Sequence, residues 1–488
     1  MLKLKHILTG IALGILIIYF LFFLYHSIIY IIYPYDLDNE EGFILNQTCL
    51  LAQGQTIYPD LTDYPYTVGN YPPVFQLLGV PLTWIFGNTH AVGRSISVVS
   101  TLLLGLIIFL IVRRITGTNL PALIAALFPF STHYFYRWAA YNRVDMLALL
   151  LALLGIYLVM KLEVSSQIRL RRTAVRKMQK SSYLLLIAAC ILFVLAFYTK
   201  QNMVAAPIAA IIYLLIKDRK LAGILILGYL VGLIAVFLIG NTITHGQFYR
   251  HLVIYNMNPF SWYTVWLYVR NLLRFYPIFI ILVFIGIFSR RTNFLFTLYF
   301  IISALVAISC GKYGSAVNYL LELMVAGSIL MGFAIKQSEV LSPKAIVKMV
   351  CFTLLIIQLL WIYHVPYILE YGETPTQKDG FYAQETEQYL KDTQGWVLSD
   401  DAAMLVRNHK PVLFQPFIMS TLARQKVWDQ TPVVNDLNHK KFEVLILYFN
   451  INRNPDFERY TDEMIDAIRA NYHIVDHLGK YWVYSKNS

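Results

Sequence analysis

The sequence predicts a polytopic α-helical membrane protein of about eleven spans, with a small α/β domain outside the membrane at its C-terminal end. Three observations carry that expectation. Of 488 residues, 58% are hydrophobic and 14% charged, with a mean hydropathy of +0.56, a balance that no soluble domain of this length keeps in solution. Apolar runs near the ~20 residues a spanning helix needs recur from Ile7–Tyr33 to Met349–Val365. From Pro366 onward charges return and the apolar runs shorten to β-prone stretches.

The first run is longer than a signal-peptide core, and no small-residue cleavage site precedes Pro34, so it is expected to remain as an anchor. Further spans are expected at 94–112, 119–134, 144–160, 181–199, 203–216, 221–243, 276–288, 292–309, 320–335 and 349–365. Basic loops resist translocation, so Lys3 and Lys5 put the N-terminus in the cytoplasm. Arg113-Arg114, the loop from Lys161 to Lys180, Lys217 to Lys220, Arg290-Arg291 and Lys336 to Lys348 then fall on the same side. The net charge of +12 thus reads as an orientation signal, with contact to anionic membrane lipids around Arg169 to Lys180, and not as a nucleic-acid surface. The outer segments are 34–92, 133–143, the turn at 200–202, 244–277, 310–319 and everything beyond Pro366; the first has no Lys or Arg.

Two domains follow: a membrane domain over 1–365 and an extracytoplasmic α/β domain over 366–488. In the latter, strands at Trp396–Leu398, Val444–Phe449 and Tyr481–Tyr484 alternate with helices at Glu385–Lys391 and Asp456–Ala470. It holds no nucleophile elbow or phosphate loop, which leaves it a supporting or acceptor-binding role. Cys49, Cys190, Cys310 and Cys351 have no metal-ligand spacing, Cys190 and Cys351 fall inside apolar runs, and nothing supports a Cys49–Cys310 disulfide.

Ionisable groups near membrane spans are costly unless they serve something. Here they gather on the outer side: Asp36, Asp38, Glu40 and Glu41; His133, Arg137, Arg143 and Asp145; Lys200 and Gln201; His245, Arg250 and His251; Lys312, Asn318 and Glu322. A channel or symporter would place them at mid-span. The bland reading of Asp38 and Glu41 is a capping box opening a surface helix, which leaves Asp36 unexplained. Tyr71, in an Asn-Tyr-Pro-Pro turn, reads as an interfacial anchor. Arg137, Arg143, Lys200 and Lys312 have the chemistry to hold a phosphate, against the plainer readings of snorkelling for Arg137 and Lys200 and a local ion pair between Arg143 and Asp145.

The order of these motifs resembles the dolichyl-phosphate-mannose protein mannosyltransferase-like family, which includes the bacterial aminoarabinose transferases. The residues carrying it are the acidic segment, Leu51-Ala52-Gln53-Gly54-Gln55-Thr56-Ile57-Tyr58, Tyr71-Pro72-Pro73, Arg143-Val144-Asp145, Thr199-Lys200-Gln201, and Gly311 to Ser315 with Asn318 to Glu322. The resemblance implies a GT-C fold and an inner-membrane glycosyltransferase that moves a sugar from a polyprenyl-phosphate donor to a glycan, lipid or protein acceptor. It implies a base in the first outer loop, usually in an adjacent Asp-Glu pair; this chain has Asp-Leu-Asp-Asn-Glu-Glu, which leaves Asp36, Asp38 and Glu41 as candidates. Lys200, Arg143, Lys312 and Arg137 would clamp the phosphate, while Tyr71, Gln201, Asn318 and Glu322 would bind substrate. A divalent metal on Glu41 and His245 is the alternative source of positive charge. The Trp-Trp-Asp signature of oligosaccharyltransferases is absent. The rival readings are a flippase of lipid-linked saccharides and a receptor or assembly protein.

Overall fold

The computed structural model describes residues 2–170, 180–290, 292–340, 345–363 and 374–487. Most of the basic loop at Arg169 to Lys180, and the expected domain boundary at Pro366, lie outside the described residues.

Among the described residues, seven helices are long and apolar enough to cross a membrane: Lys3–Ile32, His90–Thr116, Asp145–Leu162, Arg219–Ile243, Phe294–Gly311, Val317–Ser338 and Ile346–Tyr363. Helices Trp262–Phe275 and Pro277–Ile287 meet at 88°, since Pro277 opens the second and cannot continue the first. Asn119–Ser131, Ser182–Phe197 and Ala205–Lys217 are apolar but shorter. Every run expected to span therefore holds a helix, and seven of them are long enough alone. Their facing sides form one large core that includes Phe128, Tyr276 and Leu330.

The segment after the first helix is more helical than expected. Helix Glu41–Ala52 covers the predicted surface helix, but Glu40 is its N-cap and makes no side-chain cap. The expected capping box is not formed. Asp38 accepts instead from the Glu40 N–H at 3.4 Å, and Glu41 accepts from the Leu37 N–H at 3.0 Å. The Pro72-Pro73 turn opens an apolar helix, Val74–Phe86, where the sequence predicts a loop.

The C-terminal segment builds a four-stranded sheet from β1 (Trp396–Ser399), β2 (Phe442–Leu447), β3 (Tyr472–Leu478) and β4 (Tyr481–Lys486) in the order β1-β2-β4-β3. β1 and β2 run parallel, and the other pairings are antiparallel. β3 was not expected: it is an edge strand whose polar face carries His473 and His477. Helix Gln377–Asp392 extends the expected Glu385–Lys391. The helix expected from Asp456 begins at Asp462, because Asp456 accepts from the Glu458 and Arg459 amides in a turn and Thr461 takes the cap. All four cysteines are free.

The segment after the first helix and the C-terminal segment share their cores. Tyr66 and Val68 pack with Phe414, Trp428 and Leu447, while Phe43 and Leu45 pack with Ala402 and Ile446. Tyr66 also bridges Phe414 in parallel register. Gly42 permits this docking, because a Cβ there would lie 2.5 Å from the Ala403 nitrogen.

Candidate functional site

The site is organised by one buried ion pair. Arg94, near the start of helix His90–Thr116, is 0% exposed. Its guanidinium donates to both carboxylate oxygens of Glu41, at 2.9 and 2.7 Å, and to the carbonyls of Tyr30, Tyr33 and Tyr35 at 2.7, 2.5 and 2.8 Å. All of its N–H groups are used, on Glu41, on the Tyr30 carbonyl in the last turn of the first helix and on the carbonyls of Tyr33 and Tyr35 just beyond it. Glu41 also accepts from the Asn142 and Leu37 amides, at 2.6 and 3.0 Å, which fills its carboxylate. Burial alone would raise the Glu41 pKa, but Arg94 outweighs it and holds the carboxyl at about 2.

This pair fixes the loop after helix His133–Trp138. Asn142 packs where any Cβ on Gly93 would collide with it, and Ser97 Oγ donates to the Arg143 carbonyl at 3.1 Å. Arg143 is thereby aimed outward: it donates to Asp38 at 3.0 Å and to the Tyr71 hydroxyl at 3.3 Å, and lies over the Trp138 ring at 5.0 Å. Its contact with Asp145 is longer, at 3.9 Å. Asp145 instead accepts from Lys200 at 2.6 Å and Asn318 at 2.8 Å. Lys200 is 2% exposed and does not snorkel.

These groups surround a cavity of about 350 Å³ lined by Glu40, Tyr71, Arg143, Lys200, Gln201 and Lys312, with Asn256, Asn258 and Tyr319. Helix Pro416–Arg424 of the C-terminal segment supplies a further wall through Phe417, Ile418 and Thr421. Gln201 and Asn256 both donate to the Asn70 carbonyl at 3.0 Å, and Lys312 donates to the Asn256 side chain at 2.5 Å. His251 ties down the loop between Pro59 and Gly69: it accepts from the Gly69 N–H at 3.0 Å, so its other nitrogen donates to the Pro59 carbonyl at 2.7 Å. Burial lowers its pKa to about 4 and keeps it neutral for that role.

Two of the charges lining this cavity have no ionic partner among the described residues. Glu40 accepts only from the Gln415 amide, at 3.3 Å, and burial pushes its pKa above the ordinary value despite the pull of Arg143. Lys312 has a neutral partner, and burial lowers its pKa to about 8. Every other charge is paired: Arg143 with Asp38, and Lys200 with Asp145.

The remaining expected residues lie elsewhere. Asp36 is buried between His90, whose Nε2 is 2.8 Å away, and Asp401 of the C-terminal segment. Burial, then the Asp401 charge, raises its pKa well above the ordinary range. Asp36 and Arg137 line a second cavity of about 470 Å³ with Tyr30, Tyr136 and Lys480, on the other side of the acidic segment from Glu40. Glu322 packs against Tyr299 and lines neither described cavity. His245 is exposed, whereas Asp36, Glu41 and His90 are buried and each bring a possible metal-ligand atom within 4.8 Å of the others, with the Glu41 oxygens already hydrogen-bonded to Arg94, Asn142 and Leu37. Sequence reasoning missed Arg94, whose signal was a lone arginine inside an apolar run. It also missed Gln415 and the asparagines 256 and 258, which no pattern marked.

Residues 70–243 match the family described as dolichyl-phosphate-mannose-protein mannosyltransferase. No curated protein sequence matches the chain. Among solved structures, ArnT from Cupriavidus metallidurans bound to undecaprenyl phosphate is similar at a TM-score of 0.63 and 14% identity, over 97% of this chain and 98% of that one. The Archaeoglobus fulgidus oligosaccharyltransferase without ligand follows at 0.57 and 12%, over 96% and 74%. The same organism's AglB, in complex with an inhibitory peptide and a dolichol-phosphate, is similar at 0.54 and 11%, over 96% and 74%. The chain therefore has the GT-C membrane fold of these structures, and its residues 70–243 match the dolichyl-phosphate-mannose-protein mannosyltransferase family.

Proposed function

We propose that this protein moves a sugar from a polyprenyl-phosphate donor to an acceptor hydroxyl in one inverting displacement, within the cavity shared by Glu40 and Lys312. The observation that carries this reading is the pair of charges left without ionic partners: one carboxylate and one ammonium on the same cavity. Glu40 takes the proton of the acceptor hydroxyl as its oxygen attacks the anomeric carbon. The bond from that carbon to the phosphate oxygen breaks, and its electron pair leaves with the phosphate. Lys312 stabilises the departing charge, with Lys200 and Arg143 behind it. Burial, by raising the Glu40 pKa, makes its carboxylate a stronger proton acceptor. The polyprenyl phosphates named in the ArnT and AglB structures fit a donor of this class. Glu41 keeps the loop in place, and Tyr71, Gln201 and Asn318 hold the cavity's walls and cations.

The same reading sets the cavity and the C-terminal domain on the extracytoplasmic face of the inner membrane, supported by basic Arg113-Arg114, Lys217 to Lys220 and Arg290 on the opposite side. Sealed right-side-out vesicles carrying labelled polyprenyl-phosphate sugar should label an acceptor supplied from outside. Inverted vesicles should do so only after permeabilisation. Transfer by intact inverted vesicles would overturn the sidedness, and release of no polyprenyl phosphate by either would overturn the activity.

A further inference from the structure

We propose that Gln415, contributed by the C-terminal domain, is a positioning residue for Glu40, so that this domain completes the catalytic site. The inference rests on the reading of Glu40 as the base. Gln415 is 1% exposed and precedes helix Pro416–Arg424, whose Phe417, Ile418 and Thr421 line the cavity. Its backbone is stitched to the first outer loop: the Tyr66 N–H donates to the Leu413 carbonyl at 2.8 Å, and the Gln415 N–H to the Tyr66 carbonyl at 3.0 Å.

The side-chain amide has its orientation set by chemistry. Its oxygen accepts from the Val68 N–H at 2.9 Å, and because a backbone N–H can only donate, the oxygen must face it. The amide nitrogen is then turned to Glu40, to which it donates at 3.3 Å. Glu40 sits at the N-cap of helix Glu41–Ala52 without a side-chain capping bond, so its carboxylate is not held by its own helix. Gln415 is the only hydrogen-bond donor to that carboxylate among the described residues. The charges facing Glu40 are Arg143 and Asp38 from the membrane-side loops and Arg459 from the C-terminal domain, with Lys200 and Lys312 elsewhere on the cavity wall. Against that mixed field, a neutral donor adds direction: it aims one carboxylate oxygen and favours the ionised form that accepts a proton.

The test uses the full chain in lipid nanodiscs and reads kcat, KM and the pH profile of kcat/KM. Gln415→Leu should lower kcat about tenfold with little change in KM, the scale of losing one hydrogen bond to a charged group. Its acidic limb should move to higher pH, because the donor that favours the carboxylate is gone. Gln415→Glu should move that limb further, since it adds a like charge while still accepting from Val68. Leu437→Ala, in the core of the C-terminal domain and away from the cavity, is the structural comparison. It should lower the folded yield and leave the limb in place. If Gln415→Leu behaves like Leu437→Ala, losing activity only with folded protein and keeping its acidic limb, the positioning role is wrong while the base can stand. A Glu40→Gln variant that turns over normally would instead remove the base and this inference with it.

Discussion

Glu40→Gln should lower turnover by roughly a hundredfold or more, the scale of losing a general base, with donor binding kept. Gln has the same shape and still accepts a hydrogen bond, so the wall beside Gln415 survives and only proton acceptance is lost. The comparison with neighbouring acids makes the result specific. Asp38 is held by Arg143 at 3.0 Å, so Asp38→Asn should loosen that arginine and weaken donor binding more than chemistry. Asp36 faces the other cavity with a carboxyl whose pKa burial raises, so Asp36→Asn should leave turnover per folded molecule within a few-fold. Steady-state and single-turnover rates on the three variants check this. A hundredfold loss in Asp36→Asn with Glu40→Gln intact would move the base to the second cavity.

Arg94→Met should cost about 3–5 kcal/mol of stability, because it strands the Glu41 carboxylate with no counter-charge in a site where both side chains are 0% exposed. The pH dependence separates this from a simple packing defect. In the native pair Glu41 titrates at about 2, below its ordinary 4.5, so the stability it contributes is complete above 4.5 and is lost as pH falls through about 2. In the variant, burial is opposed only by the amide donors and raises that pKa. The penalty is then greatest at neutral pH and eases as the solution is acidified far enough to protonate Glu41. Thermal unfolding in detergent between pH 7 and pH 5 should show the variant gaining on the native protein. A gap that stays constant with pH would mean that the charge is not the cause. Arg94→Met with Glu41→Gln should recover part of the loss, though the carbonyls of Tyr30, Tyr33 and Tyr35 stay without their donor.

The membrane part of the fold was legible because apolar length is nearly sufficient evidence of a helix in lipid: each expected run, from 94–112 to 349–365, holds one. Helix Val74–Phe86 was not, because Pro72-Pro73 looks like a turn and Pro81 lies inside the helix, while Trp84, Ile85 and Phe86 stay exposed. Arg143, Lys200, Gln201, Tyr71 and Lys312 reached one cavity from four separate loops, as expected of polar residues gathered on one side of the membrane. The acidic segment was harder. In a run of four carboxylates within six residues, sequence marks the cluster but not the partners. Only the fold shows Glu41 consumed by Arg94, Asp38 by Arg143 and Asp36 by the C-terminal domain, which leaves Glu40 facing the cavity. Gln415 could not be read at all, since its role depends on a docking between residues 66 and 414 that no local pattern encodes.

Titrating undecaprenyl phosphate into the nanodisc-embedded protein shows whether the cavity of Glu40 and Lys312 holds the donor phosphate. Lys312→Ala should weaken binding by about tenfold or more, the worth of a charge-assisted phosphate contact. Binding to the native protein should also fall as pH rises past about 8, where Lys312 loses its proton, and Lys312→Arg should remove that fall. Arg137→Ala, on the second cavity, should bind as the native protein does. Loss of binding in Arg137→Ala, with Lys312→Ala unaffected at every pH, would contradict the account.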